Sequence, residues 1–164
     1  TLGNWYLTTF LCSSLHVVEI KQKYGDRVYF KIIGDPSYNY APLEIKGVKG
    51  KSETEVQDLA EFNIGLMPLP DNEWTRGKCA MKGLQYMALE IPTIMSPVGV
   101  NSDIIQDGEN GFLAGSNEEW VEKLSLLIEN VDLREKVGVA GKKTVEKDFS
   151  VEANRDKWLK AFQF

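Results

Sequence analysis

Residues 64–97 read IGLMPLPDNEWTRGKCAMKGLQYMALEIPTIMSP. The stretch opens on an apolar run, IGLMPL (64–69), crosses a loop of Pro, Asp, Asn and Gly, continues with helical period, and closes on a second apolar run, PTIMSP (92–97). Short runs that are apolar throughout suit strands covered on both faces, as in parallel sheets. The segment between them predicts a helix over Lys78–Leu89. Strand, helix and strand in this order make a βαβ unit, which implies parallel pairing.

The same alternation extends outward. RVYFKII (27–33) reads as a strand ended by Gly34-Asp35-Pro36, and LEIKGV (43–48) as a second, weaker one. Ser52 and Glu55 form a capping-box pattern opening a helix that carries Val56, Leu59 and Phe62. Beyond the quoted stretch, a short helix is expected near Ser102–Gln106, then turn chemistry at DGENG (107–111) and a short strand at FLA (112–114). Three closing helices start at Ser116 with Glu119, at Asp132 with Glu135, and at Ser150. At the other end, Asn4–Tyr24 reads as one helix capped by Asn4, with Phe10, Leu11, Leu15 and Val18 as its apolar stripe. A doubly wound sheet leads into that helix from a strand, so the first strand is expected to be missing, upstream of Thr1. The fold class is therefore α/β, a Rossmann-like doubly wound parallel sheet in three α/β/α layers, formed by a single domain over residues 1–164.

With 164 residues, 43% hydrophobic, the chain can bury a core without staples. A formal net charge of −5 argues against a nucleic-acid platform. No apolar run is long enough to span a bilayer and no signal peptide opens the sequence, so any membrane contact is expected to be peripheral. Cys12 and Cys79 match no zinc or redox spacing and read as free thiols in a reducing cytoplasm. His16, the one histidine, lies among apolar helix positions and cannot anchor a metal cluster or a catalytic triad. The tryptophans Trp5, Trp120 and Trp158 are assigned to packing.

Ligands of open parallel sheets bind beyond the carboxyl ends of the strands. That rule selects Gly34–Tyr40, Pro70–Lys78 and Pro97–Ser102. The second segment brings Arg76, Lys78 and Lys82 to the start of a helix, where unpaired amides and the helix dipole already favour an anion. A diphosphate suits such a site, with the cations adding charge-assisted bonds. The competing reading of the three cations is an ordinary solvated face. The loop at Gly99, Val100 and Asn101 has two readings as well, a tight turn or amides approaching a ligand.

Residues 65–114 closely resemble the C-terminal half of the group 1, or family-4, retaining glycosyltransferases of the GT-B fold. LQYMA followed by IPTI, SPVGVNSDII, and DGENGFL (107–113) stand in the family's order and spacing, and IIGD (32–35), EEW (118–120) and LREKVGVAGKKTVEKDFS (133–150) extend the match. The resemblance implies a donor-binding domain for a UDP-, GDP- or ADP-sugar and retaining transfer without metal or other cofactor. It further implies a glycan or lipid-linked acceptor held by a missing N-terminal domain, no turnover by this domain alone, and a cytoplasmic place, at the inner face of the membrane. Two glutamates seven residues apart are common in the family, the first on the donor sugar and the second on the ribose. Here Gly77 and Gln85 occupy those positions. Gln85 keeps hydrogen-bonding capacity without charge, and Asp71 or Glu73 is expected to substitute from the same loop. Lys82 matches a family lysine, while Arg76 and Lys78 compensate for a basic pair not visible near the N-terminus. Glu90 replaces a common glycine, with an effect expected on turn geometry. Two alternatives stand beside this reading: another GT-B enzyme such as a nucleotide-sugar epimerase, and a non-catalytic nucleotide-binding module.

Overall fold

The computed structural model describes residues 5–8 and 15–162, with side chains from residue 16. Seven strands form one sheet in the order β3-β4-β2-β1-β5-β6-β7. They span Trp5–Thr8 (β1), Val28–Ile33 (β2), Asn39–Tyr40 (β3), Ile45–Val48 (β4), Ile64–Met67 (β5), Thr93–Met95 (β6) and Phe112–Leu113 (β7). Every pairing is parallel except that of the two-residue edge strand β3 with β4. The helices are Leu15–Tyr24 (α1), Glu55–Ala60 (α2), Glu73–Arg76 (α3), Met81–Ala88 (α4), Asn101–Ile104 (α5), Asn117–Glu129 (α6), Val131–Thr144 (α7) and Val151–Ala161 (α8). Among the described residues no helix is long and apolar enough to cross a membrane.

The expected doubly wound α/β sheet is present, with one correction at its centre. The strand sought upstream of Thr1 lies within the chain as β1, paired with β2 (Trp5 opposite Val28) and with β5 (Leu7 opposite Ile64). The single helix read over Asn4–Tyr24 is thus a strand followed by the shorter α1. Trp5, Tyr6 and Thr8 are strand formers, and a run of such residues satisfies either period until neighbouring strands supply its ladder. Asn4 and Phe10 lie outside the described residues.

The strands alternate between two cores. Ile64, Leu66 and Ile94 face α1 and α6, where they join Ile20, Trp120 and Leu124. Met67 and Met95 face the opposite side and meet Met87 of α4. All four residues of β5 are buried, as its unbroken apolar run requires. Next to this second core, Leu59 and Phe62 pack with Tyr86 and Ile91.

Several local readings need adjustment. The helix expected over Lys78–Leu89 is preceded by the separate turn α3 and begins only at Met81, because Ala80 takes a left-handed conformation (φ 55°) that breaks the run. The Ser52–Glu55 capping box is absent; Thr54 sits at the N-cap of α2, its hydroxyl donates to Asp58 at 2.8 Å, and Val56 is exposed. Helix α7 starts from Asn130, whose side chain accepts from the Leu133 amide. The capping box at Ser116 and Glu119 and the cap at Ser150 are as expected. Glu90 holds φ 59°, a left-handed turn conformation that glycine adopts more readily, at the position where an effect on turn geometry is expected. Trp120 is buried, but Trp158 is exposed and stacks on Phe162 of the same chain end. Cys79 is an exposed free thiol.

Helix α4 lies unusually close to the sheet. A Cβ on Gly65 would stand 2.4 Å from the Tyr86 ring, and one on Gly83 would stand 2.0 Å from Met95 Cε. Gly65→Ala should therefore push α4 off β5 and cost about 1–3 kcal/mol, a melting point lower by several degrees. A thermal melt unchanged from wild type would show that the helix can shift freely.

His16 is buried against Trp120, ring centroids 4.9 Å apart, and burial lowers its pKa from 6.5 to about 4. Its Nε2 finds no partner among the described residues. The neutral ring is the folded form, so its contribution is complete above the unfolded pKa of 6.5 and is lost as pH falls toward 4. Urea melts at pH 7 and pH 4 should show wild type losing up to about 3 kcal/mol more than His16→Phe, which keeps an aromatic against Trp120. Equal losses would mean that His16 titrates normally.

Candidate functional site

The winding direction of the sheet reverses between β1 and β5, the position at which an open sheet leaves a crevice at its carboxyl edge. A cleft of about 290 Å³ opens there. Its floor is apolar, from Ile33 of β2, Leu66 and Met67 of β5 and Tyr86 of α4. Its rim is the segment Gly77–Lys82, faced across the opening by Glu55 and Leu59 of α2.

The loop leaving β5 is held by its own side chains. Asn72 and Thr75 cap α3 reciprocally, the Thr75 amide donating to Asn72 Oδ1 at 3.0 Å and the Asn72 amide to Thr75 Oγ1 at 3.2 Å. Buried Thr75 also donates to the Pro70 carbonyl. The Leu69 amide donates to Ser96 Oγ at 2.8 Å, which ties this loop to the one after β6. The two loops touch again at Gly99, where φ is +57° and a Cβ would lie 2.6 Å from the Arg76 carbonyl oxygen.

These contacts separate the sequence candidates. Gly77, Lys78 and Lys82 line the cleft. Arg76 does not; its guanidinium forms a bidentate pair with Asp71 (2.6 and 2.9 Å) on the exposed side of the loop. That guanidinium holds the Asp71 carboxyl below its usual range, so Asp71 is committed to Arg76. Glu73 is exposed on α3 beside the exposed Trp74. Asn101 fits the tight-turn reading: its side chain is buried and its Nδ2 donates to the Ser96 carbonyl at 2.9 Å, a bond that shapes the turn instead of facing the cleft. Val100 is exposed at the start of α5, and neither it nor Gly99 lines the cleft. For Gly99 the structure assigns the role of close approach between loops.

The first turn of α4 has no capping side chain and no acidic residue. Its amides and dipole therefore present uncompensated positive charge to the cleft, and Lys82 adds a full charge in that same turn. The carboxylate that answers it comes from elsewhere: Lys82 Nζ is hydrogen-bonded to Glu55 Oε1. Lys82, and secondarily Gln85, hold the Glu55 carboxyl below its usual range. Sequence reasoning saw Glu55 as a helix cap only, since no spacing rule links two residues 27 positions apart. Gln85 lies one turn beyond Lys82, and its Oε1 is buried with no donor among the described residues. Among the described residues no group of three or more His, Cys, Asp or Glu side chains could hold a metal ion.

Comparison with known proteins adds three findings. Residues 76–144 match the family model described as glycosyl transferases group 1. The capsular polysaccharide biosynthesis glycosyltransferase CapM of Staphylococcus aureus is 38% identical over 143 residues, which cover 74% of this chain and 37% of that protein. The chain spans a little over a third of the length of the curated relatives it matches. Among solved structures, the C-terminal domain of the group 1 glycosyl transferase LpcC from Francisella tularensis superposes with a TM-score of 0.70 at 17% identity, over 91% of this chain and 88% of that one. Anabaena Alr3699/HepE in complex with UDP-glucose gives 0.69 at 14% identity, over 97% of this chain and 49% of that one. Motif, relatives and fold agree with the cleft at the switch point of the sheet: residues 76–144 carry the sequence pattern of the group 1 glycosyltransferases, and the chain has the fold of a C-terminal domain of the GT-B type.

Proposed function

We propose that this chain is the donor half of a retaining glycosyltransferase. It binds a UDP-, GDP- or ADP-sugar and stabilises the departing diphosphate while the sugar passes to a glycan or lipid-linked acceptor. One observation carries the reading: Lys78 and Lys82 meet the uncapped start of α4 at the rim of the cleft beyond β5. Backbone amides, a helix dipole and two cations at one point suit the charge that develops on a leaving diphosphate. The UDP-glucose complex of the Anabaena neighbour and the role of CapM in capsule synthesis support the same reading. In this mechanism the lysines and amides take the charge without a metal. The acceptor belongs to an N-terminal domain not contained in these residues, and the domain alone binds without turnover. A cytoplasmic site at the inner membrane face suits an acceptor of this kind. Gly77 and Gln85 place no carboxylate on the donor, so binding without transfer by a longer form of the protein would favour a non-catalytic module.

Calorimetry on the folded chain with UDP, GDP and ADP should show binding of at least one; a folded chain that binds none of them overturns the proposal. Lys82→Ala should weaken the preferred diphosphate about tenfold, the loss of one charge-assisted bond, while binding of the parent nucleoside changes less than about twofold. Equal losses for both ligands would remove Lys82 from the diphosphate.

A further inference from the structure

Lys82 is engaged by a partner within the protein. Its partner Glu55 projects from the first turn of α2, across the cleft from α4, and among the described residues lining the cleft it is the one acid. Three features mark the pair as more than a chance surface contact. Lys82 stands in the first turn of a helix, where the dipole disfavours a cation, so a carboxylate there relieves a standing conflict. Gln85, one turn further along α4, also helps to hold the Glu55 carboxyl below its usual range. The buried Oε1 of Gln85 meanwhile has no donor among the described residues, an acceptor left over beside the pair. Both partners are part-exposed, at 46% for the Lys82 side chain and 37% for Glu55. A pair so placed is weak enough to exchange.

We propose that Glu55 is an electrostatic latch on the cleft: it holds Lys82 across the opening between α2 and α4, and a diphosphate enters by replacing Glu55 as the partner of that lysine. Glu55 is thus a positioning residue that acts through Lys82. The inference rests on the donor-site reading of Lys82 given above. It adds that anion affinity is set by competition within the protein as well as by the cations themselves. A ligand must bring more charge, or better geometry, than a single carboxylate, which favours a diphosphate over a weaker anion.

Inorganic pyrophosphate and UDP, titrated separately by calorimetry into wild type, Glu55→Gln and Glu55→Asp, test the latch. Glu55→Gln removes the competitor, whereas Glu55→Asp keeps its charge but shortens its reach. Both variants should bind pyrophosphate roughly three- to fivefold more tightly than wild type, the scale of one part-exposed ion pair. Tightening by Gln alone would mean general charge repulsion and overturn the latch. Unchanged or weaker binding by Glu55→Gln, or no pyrophosphate binding by any of the three proteins, would overturn it as well. Pyrophosphate binding without UDP binding would count against the nucleotide reading and leave the latch to be judged on the pyrophosphate arms.

Discussion

The close seat of α4 on strands β5 and β6 governs the rest of the cleft. Gly65 leaves room for the Tyr86 ring, and Gly83 does the same for Met95, so the helix axis comes nearer to the sheet than ordinary side chains permit. Met67, Met87 and Met95 fill the remaining space with flexible, polarisable side chains. Once that seat is set, the positions of Lys82 and Gln85 follow, because they are carried on a rigid helix. The rim follows too, since Gly77–Lys82 must run from the fixed end of β5 to the fixed start of α4.

Electrostatics at this rim is deliberately unbalanced. Helix α4 offers amides without a cap, and a lysine is placed where the dipole opposes it. Isolated, that arrangement would be unfavourable; Glu55 on one side and a bound anion on the other are two ways to satisfy it. Arg76 and Asp71 show the contrast. Their bidentate pair satisfies both partners within one loop and points away from the cleft, which leaves little positive charge to attract a ligand.

Much of this was legible in the sequence. The buried strands IGLM and TIM, the helix between them and the switch-point loop could be read from composition and period, because a strand covered on both faces must be apolar at every position. Lys78 and Lys82 follow from the helix start and Gly77 from the family resemblance, and all three line the cleft. The N-terminal strand was misread, since the strand formers Trp5, Tyr6 and Thr8 run into apolar positions that also fit a helix, and only pairing with β2 and β5 separates the two. At Asn101 the sequence leaves two readings open, because a buried amide that shapes a turn and one that meets a ligand look the same until the fold turns the side chain inward.

The chain by itself thus determined an α/β sheet, its switch-point loops, and the motif order that resembles the group 1 glycosyltransferases. Those features depend on local period and on residues near one another in sequence. Tertiary structure decided which charges stay available. It pairs Arg76 with Asp71, turns Asn101 inward, and brings Glu55 across the cleft to Lys82. The last of these joins α2 to α4, helices on opposite sides of β5 in the chain, and no spacing in the sequence encodes a contact that exists only after both have packed on the sheet.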